Sequence, residues 1–124
     1  MREILQDLSI LFKNAKSVEE VCKNIVCITT PYLDRHNDYI QIYCTKDAND
    51  YVLTDDCWTL DNLEQSVLIL DTARNEVLKA KLNKCGISRK GTELYIKTCE
   101  AELNIAQEIF ARAIFEINSV ELGL

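Results

Sequence analysis

The residues of this sequence that are best suited to chemistry are carboxylates, one histidine and one arginine grouped in its first half. They are Asp34, Arg35, His36, Asp38, Asp55 and Asp56. Carboxylate oxygens are the ligands that magnesium and manganese prefer, so Asp38 and Asp55 are candidate metal ligands. A histidine beside a carboxylate is a candidate general base, so Asp38, Asp55 and His36 are also candidate catalytic residues. The whole group is a candidate binding site.

The same aspartates also fit a structural role. Aspartate is common at strand ends and turns because its side chain accepts hydrogen bonds from nearby backbone amides. A structural role is therefore the favoured interpretation of Asp38 and Asp55. A lone histidine in a polar loop, as at His36, is usually just solvated.

Other catalytic arrangements are missing from the sequence. No serine lies in a nucleophile elbow, no glycine-rich loop precedes a helix, and no Lys-Ser/Thr phosphate cradle is present. Cys57 is the one cysteine that the pattern brings near His36, and it is a weak candidate nucleophile. The aromatic residues Tyr39, Tyr43, Tyr51 and Trp58 are interpreted as sheet surface and core, because the basic residues of a base-stacking platform are missing around them. An enzyme is therefore disfavoured, and no cofactor is expected unless the carboxylates hold magnesium or manganese.

Size and charge narrow the class of protein further. The 124 residues predict a single domain over 1–124, with a formal net charge of −6. That charge repels phosphate backbones, so direct nucleic-acid binding is disfavoured. No apolar run approaches the roughly 18 residues of a membrane span, and no secretory signal is evident, so we expect a cytoplasmic protein.

The six cysteines predict thiols, not a framework of disulfides or zinc ligands. No two of them are arranged as CxxC, and only one histidine accompanies them. Several sit within or beside apolar runs, as Cys22, Cys27, Cys44 and Cys57 do. We therefore expect all six to be reduced, and most of them to be buried as small hydrophobic residues.

The first third of the chain predicts a helix followed by strands. Apolar residues recur at helical spacing over 4–15, which predicts an amphipathic N-terminal helix. Val18–Cys22 is open to two interpretations, another helical turn or a strand. Ile25–Thr30 is rich in β-branched residues and is predicted to be a strand that Pro31 ends.

A hairpin is predicted at the centre of the sheet. Asp38–Thr45 and Asp50–Thr54 alternate apolar and polar residues around a turn at 46–49. If Thr45 lies opposite Asp50, Asp38 and Asp55 are near-diagonal neighbours on the apolar face. Asp34 or His36 is then expected to fold over them.

The second half predicts two helices and another hairpin. A short helix is expected over 59–66 and a longer one over 73–84, ended by Gly86. A hairpin over 87–97 leads into one long helix over 99–120. These patterns predict an α+β fold in which a mostly antiparallel sheet packs against the N-terminal and C-terminal helices.

The last helix carries more apolar surface than one sheet contact needs. The stripe formed by Ile105, Ile109, Ile117 and Val120 therefore predicts a homodimer.

Two strings resemble a known family. TTPYLDRHNDYIQIY at 29–43 and YVLTDD at 51–56 are similar to the bacterial and phage domain-of-unknown-function family eighteen-twenty-eight. The similarity continues more weakly through 60–63, 91–96 and the last helix. The family usually has glycine where this chain has Cys57. The resemblance implies a bacterial, prophage or phage origin and supplies no reaction.

Two functions from different classes follow as hypotheses. The first is a small acidic, non-enzymatic interaction protein that binds and inhibits a host protein, such as a defence protein. The second is a metal-dependent, nuclease-like domain that uses Asp38 and Asp55. The order of helix, Asp-led strand and acidic strand is similar to the restriction-endonuclease-like core, but Thr54-Asp55-Asp56 lacks the lysine of that core. Such a nuclease would be atypical or inactive.

Overall fold

The computed structural model describes residues 15–34, 37–60 and 72–119. These residues form an antiparallel sheet of six strands in the order β1-β2-β3-β4-β6-β5, together with two helices. The strands are β1 (Ser17–Cys22), β2 (Ile25–Leu33), β3 (Tyr39–Asp47), β4 (Asp50–Thr54), β5 (Ser88–Lys90) and β6 (Glu93–Cys99). The helices are α1 (Thr72–Cys85) and α2 (Leu103–Ser119). The predicted α+β class is confirmed, with the β3–β4 hairpin at the centre of the sheet.

The region after the predicted N-terminal helix is a third hairpin. The strand interpretation of Val18–Cys22 is confirmed, and Asn24 takes a positive φ of 70° in the turn between β1 and β2. The prediction that Pro31 ends the second strand is wrong. Pairing with β1 stops at Thr29 and the register with β3 shifts beyond it, so Pro31 is spared a ladder hydrogen bond that it has no N–H to make. The predicted helix over 4–15 lies outside the described residues, apart from Ala15, which comes just before β1.

The register of the central hairpin differs from the prediction by two residues. Asp47 pairs with Asp50 across a two-residue turn, and Thr45 lies opposite Val52 instead of Asp50. Because side chains alternate with a period of two, this shift keeps each residue on its predicted face. It does change the neighbours, so Ile40 does not lie opposite Asp55.

The helices begin and end close to the predicted positions, with one difference. Gly86 follows α1 at a φ of 72°, as predicted for a residue beyond a helix C-terminus. The last helix begins later than predicted, because Cys99 still pairs with Asp50 of β4 and a short 3₁₀ turn follows at Glu100–Glu102. Of the short helix predicted over 59–66, the structure describes the helical residues 58–60, and the remainder lies outside the described residues.

The core lies between one face of the sheet, here called the inner face, and the two helices. Its fully buried side chains come from β2, β3, β4, β6 and both helices, and include Ile28, Ile42, Leu53, Leu78, Leu94, Phe110 and Ile114. Burying a side chain of this size contributes roughly 1.5–3 kcal/mol. The opposite, outer face of the sheet carries the alternating polar and aromatic residues. No helix in the described part of the chain is long and apolar enough to cross a membrane.

The cysteines are all free thiols, but not all of them are buried. Cys27 and Cys44 are buried, whereas Cys22 and Cys99 are exposed, which corrects the expectation for Cys22. Both exposed residues end their strands, β1 and β6, and Val21, the apolar neighbour of Cys22, is itself 49% exposed. Burial raises the pKa of the Cys44 thiol to about 12, so this thiol stays protonated and unreactive.

Candidate functional site

Asp55 follows the last residue of β4 and is 1% exposed. Its Oδ1 accepts hydrogen bonds from the backbone N–H groups of Cys57 and Leu94, each at 3.0 Å, and its Oδ2 accepts one from Thr59 at 3.0 Å. Its own N–H donates to the Leu94 carbonyl at 3.1 Å. One side chain therefore ties the end of β4 to β6 and to the helical turn at 58–60.

The environment of Asp55 opposes its ionisation overall. Burial raises the pKa of this carboxyl, while the N–H groups of Leu94, Thr59 and Cys57 lower it and offset part of the effect. Both carboxylate oxygens already accept hydrogen bonds from the backbone. This arrangement supports the structural interpretation that the sequence favoured for Asp55.

The turn after Asp55 holds two consecutive residues at positive φ. Asp56 has a φ of 55° and Cys57 a φ of 68°, and the Trp58 N–H donates to the Asp55 carbonyl at 3.2 Å. Positive φ at both central residues is the pattern of a type I′ turn, which favours sequences such as Asp-Gly. The Thr54 hydroxyl accepts from the Asp56 N–H at 3.1 Å and supports the same turn.

A second aspartate closes the loop before β3. Asp34 is 7% exposed, and its Oδ1 accepts a hydrogen bond from the Asp38 N–H at 3.0 Å. Its N–H donates to the Asp38 carbonyl at 2.8 Å, and Asn37, at a φ of 64°, donates to the Asp34 carbonyl at 3.1 Å. Asp38 itself is exposed, because it precedes β3 instead of lying over the core.

Arg35 and His36 lie between these two aspartates and outside the described residues. Their predicted roles in binding and catalysis stay predictions.

The two aspartate loops meet at one pocket of about 550 Å³. Four carboxylates, three aromatic rings and two neutral polar side chains line it: Asp34, Asp38, Asp55, Asp56, Tyr39, Tyr43, Trp58, Thr29 and Gln41. Asp38 and Asp55 therefore line the same pocket, together with Asp34. The predicted setting is wrong, since Asp38 is exposed and is not a cross-strand diagonal neighbour of Asp55.

The outer face of the sheet supplies the floor of the pocket. Gln41 donates to the Thr29 hydroxyl at 3.2 Å from the neighbouring strand. Tyr43 pairs with Cys27, and burial, Cys27 and the Asp56 carboxylate raise the pKa of the Tyr43 hydroxyl. Sequence reasoning placed Tyr43 and Gln41 on the non-core side but did not recognise them as a site. The sequence did carry a signal for this site, because the alternation in β3 places Tyr43 and Gln41 on the same face as the ends of the two aspartate loops.

The wall of the pocket is aromatic. Trp58 is 50% exposed and Tyr39 is also exposed. The Lys16 ammonium lies 4.5 Å from the centroid of the Tyr39 ring, within the range of a cation–π interaction. The pocket thus combines exposed ring faces with the exposed carboxylates of Asp38 and Asp56.

Within ranges 15–34, 37–60 and 72–119, no group of three or more histidine, cysteine or carboxylate side chains is arranged to hold a metal ion. Asp38 and Asp55, the predicted ligands, line the same pocket but differ in burial and in hydrogen bonding.

Comparison with known proteins identifies the family. The model of the family described as "Domain of unknown function DUF1828" matches residues 30–117. The chain belongs to this family. No curated protein and no solved structure matches it.

Membership of the DUF1828 family gives the Cys57 turn a context. The sequence differs from the family's usual pattern at one position of this turn, where Cys57 stands in place of glycine. The structure keeps a positive φ at that position, which glycine adopts without the cost that a Cβ imposes. All of the pocket-lining residues except Thr29 fall within the matched range. The pocket is therefore built almost entirely from the family's own segment.

Proposed function

We propose that this chain is a non-enzymatic protein-binding domain whose pocket receives a basic segment of a partner protein. The observation that carries the proposal is the pairing of exposed carboxylates, at Asp38 and Asp56, with the exposed rings of Tyr39 and Trp58 in one cavity. Carboxylates attract a cationic group at long range, and aromatic faces hold it at contact. The formal net charge of −6 adds a favourable field for a basic partner.

The hydrogen bonds of the pocket also favour binding over proton transfer. Asp55 is committed to the amides of Cys57, Thr59 and Leu94. The Asp34 carboxylate accepts from the Asp38 N–H in the same way. These two carboxylates hold the loops that carry the exposed groups, and the exposed groups contact the partner.

The partner that we propose is a host protein of a bacterium that carries this chain on its chromosome, a prophage or a phage. An acidic surface competes with nucleic acid for a basic surface, so occupation of such a surface inhibits a nucleic-acid-dependent defence protein. The proposed site of action is the bacterial cytoplasm.

The chain's single tryptophan allows a direct test of binding at the pocket. Titration of a tryptophan-free basic peptide should change the fluorescence of Trp58, with an affinity that falls as salt increases. Asp38→Asn and Asp56→Asn should each weaken binding. Asp47→Asn is the matched control, because it removes the same charge at the far end of β3, roughly 30 Å from Asp38. No fluorescence change and no heat of binding at millimolar peptide would overturn the proposal.

The nuclease-like domain is the second candidate function. The observation in its favour is that four carboxylates, including Asp38 and Asp55, line one pocket. Calorimetric titration with manganese or magnesium tests it. The nuclease hypothesis requires one saturable site that Asp38→Asn abolishes, and the absence of any heat of binding would remove it.

Self-association is a separate part of the proposal. Ile105 and Ile109 lie one turn apart on α2 and are 63% and 41% exposed. Ile117 is fully buried and does not contribute to this stripe, which corrects the predicted interface, and Val120 lies outside the described residues. If the stripe joins two copies, light scattering should give a dimer mass at high micromolar concentration, and Ile105→Asp should give a monomer.

A further inference from the structure

We infer that the pocket selects an arginine side chain of the partner over a lysine. This inference rests on the proposed function, since it specifies the chemistry of the basic segment. It concerns the outer, non-core face of the sheet at the point where β3 begins and β4 ends.

This face of the sheet already holds one cation. The Lys16 ammonium lies 4.5 Å from the Tyr39 ring. The wall of the pocket therefore already holds one cation against an aromatic face, and this cation comes from the residue that precedes β1. Elsewhere in the described part of the chain, the recorded cation–π contact is that of Lys46 with Tyr51.

The ring of Trp58 remains open to a second cation. Trp58 is 50% exposed, lines the pocket and has no cation–π contact with a described residue. Tryptophan is the best aromatic partner for a cation. An incoming cationic side chain thus finds its strongest aromatic contact at Trp58.

The shape of the cation decides how well it fits both the Trp58 ring and the acidic side chains of the pocket. Trp58 follows Asp56 by two residues, and the exposed residues Asp56 and Asp38 line the same pocket. A planar guanidinium stacks on an indole while its N–H groups point outward in its plane to reach carboxylate oxygens. An ammonium is a compact point charge that does not make both contacts with the same fixed geometry. This combination of ring and acids favours arginine.

The experiment compares three tryptophan-free peptides that differ only in three positions, which are arginine, lysine or citrulline. The arginine peptide should bind about three- to tenfold more tightly than the lysine peptide, a difference of about 0.7–1.4 kcal/mol in binding free energy. Citrulline keeps the planar shape without the charge and should not bind measurably. Binding is measured by calorimetry, so that variants of Trp58 remain comparable.

Variants then separate the ring from the charge. Trp58→Leu should reduce the arginine-to-lysine ratio to about one, while Trp58→Phe, which retains a ring, should keep part of it. Asp38→Asn should weaken both peptides. Asp47→Asn, the control, should leave both affinities unchanged.

The outcomes distinguish the two proposals. Equal affinities of the arginine and lysine peptides would overturn arginine selection and leave the basic-segment proposal standing. An arginine preference that persists in Trp58→Leu would also overturn it, since the ring would not be its source. Failure of both basic peptides to bind, or binding of citrulline as tightly as arginine, would overturn both proposals.

Discussion

The turn after β4 and the loop before β3 have the same local arrangement, but their aspartates accept hydrogen bonds from residues at different separations along the chain. Each begins at a buried aspartate, each has a residue at positive φ, and each is closed by a backbone hydrogen bond to that aspartate's carbonyl. Asp55 accepts the N–H of Leu94, 39 residues further along the chain. Asp34 accepts the N–H of Asp38, four residues further along.

This difference in sequence separation shows that aspartate plays two roles here, one in tertiary structure and one in a local loop. Asp55 joins two strands and the following helical turn, so its hydrogen bonds form only when the tertiary fold forms. The Asp34–Asp38 hydrogen bonds close a short loop whose entropy of closure is small. We therefore expect replacement of the two aspartates to have unequal effects on stability.

The largest expected effect is that of Asp55→Ala. It leaves the N–H groups of Cys57, Thr59 and Leu94 without their acceptor in a buried place, and should lower the free energy of unfolding by about 3–5 kcal/mol. Asp55→Asn, which retains one acceptor oxygen, should lower the free energy of unfolding by a smaller amount. Urea denaturation measures both, and the adjacent Asp56→Asn is the control that should stay within about 0.5 kcal/mol of the parent. A loss as small as that of Asp56→Asn would remove the long-range role of Asp55.

A smaller effect is expected for Asp34→Ala. The loss of the acceptor for the Asp38 N–H should lower the free energy of unfolding by about 1–2 kcal/mol. The two losses in free energy of unfolding, measured in the same urea series, put a number on the difference between the two aspartates. An Asp34→Ala variant that is as unstable as Asp55→Ala would show that the two aspartates are equivalent.

The substitution Cys57→Gly should act in the opposite direction. A Cβ is unfavourable at a φ of 68°, so glycine should raise the free energy of unfolding by about 0.5–1 kcal/mol. The same substitution at the exposed strand residue Cys22 is the control and should lower it, because glycine weakens a strand. A destabilised Cys57→Gly would indicate that the thiol makes packing contacts that outweigh the backbone effect.

The sequence predicted the strands of this fold well, because alternation is a strong signal. The predicted register of the central hairpin differs from the observed one by two residues. The segment Lys46–Asn49 contains no glycine that would mark the two turn residues. The actual turn has a positive φ at Ala48, for which the sequence carries no signal. The faces were still correct, because a shift of two preserves the alternation.

The candidate site was predicted in part for related reasons. Asp34, Asp38, Asp55 and Asp56 were identified by residue type, and they do line one pocket. Their different burial could not be predicted, because it depends on the Leu94 amide of a strand that lies far along the chain. The aromatic wall was missed because an exposed Trp58 and a core tryptophan give the same local pattern.

The smallest expected effect on stability is that of Asp38→Asn. The contacts of Asp38 with Asp34 use the backbone N–H and carbonyl, which asparagine retains, and the Asp38 side chain is exposed. Urea denaturation should therefore give a free energy of unfolding within about 0.5 kcal/mol of the parent. The same variant should bind a basic peptide less tightly, because it removes a carboxylate from the rim of the pocket. A loss of 1 kcal/mol or more would contradict the distinction between backbone and side chain at this residue and would place Asp38 with the structural aspartates. Unchanged stability with weakened binding would separate Asp38, as a binding residue, from Asp34 and Asp55, which hold the loops in place.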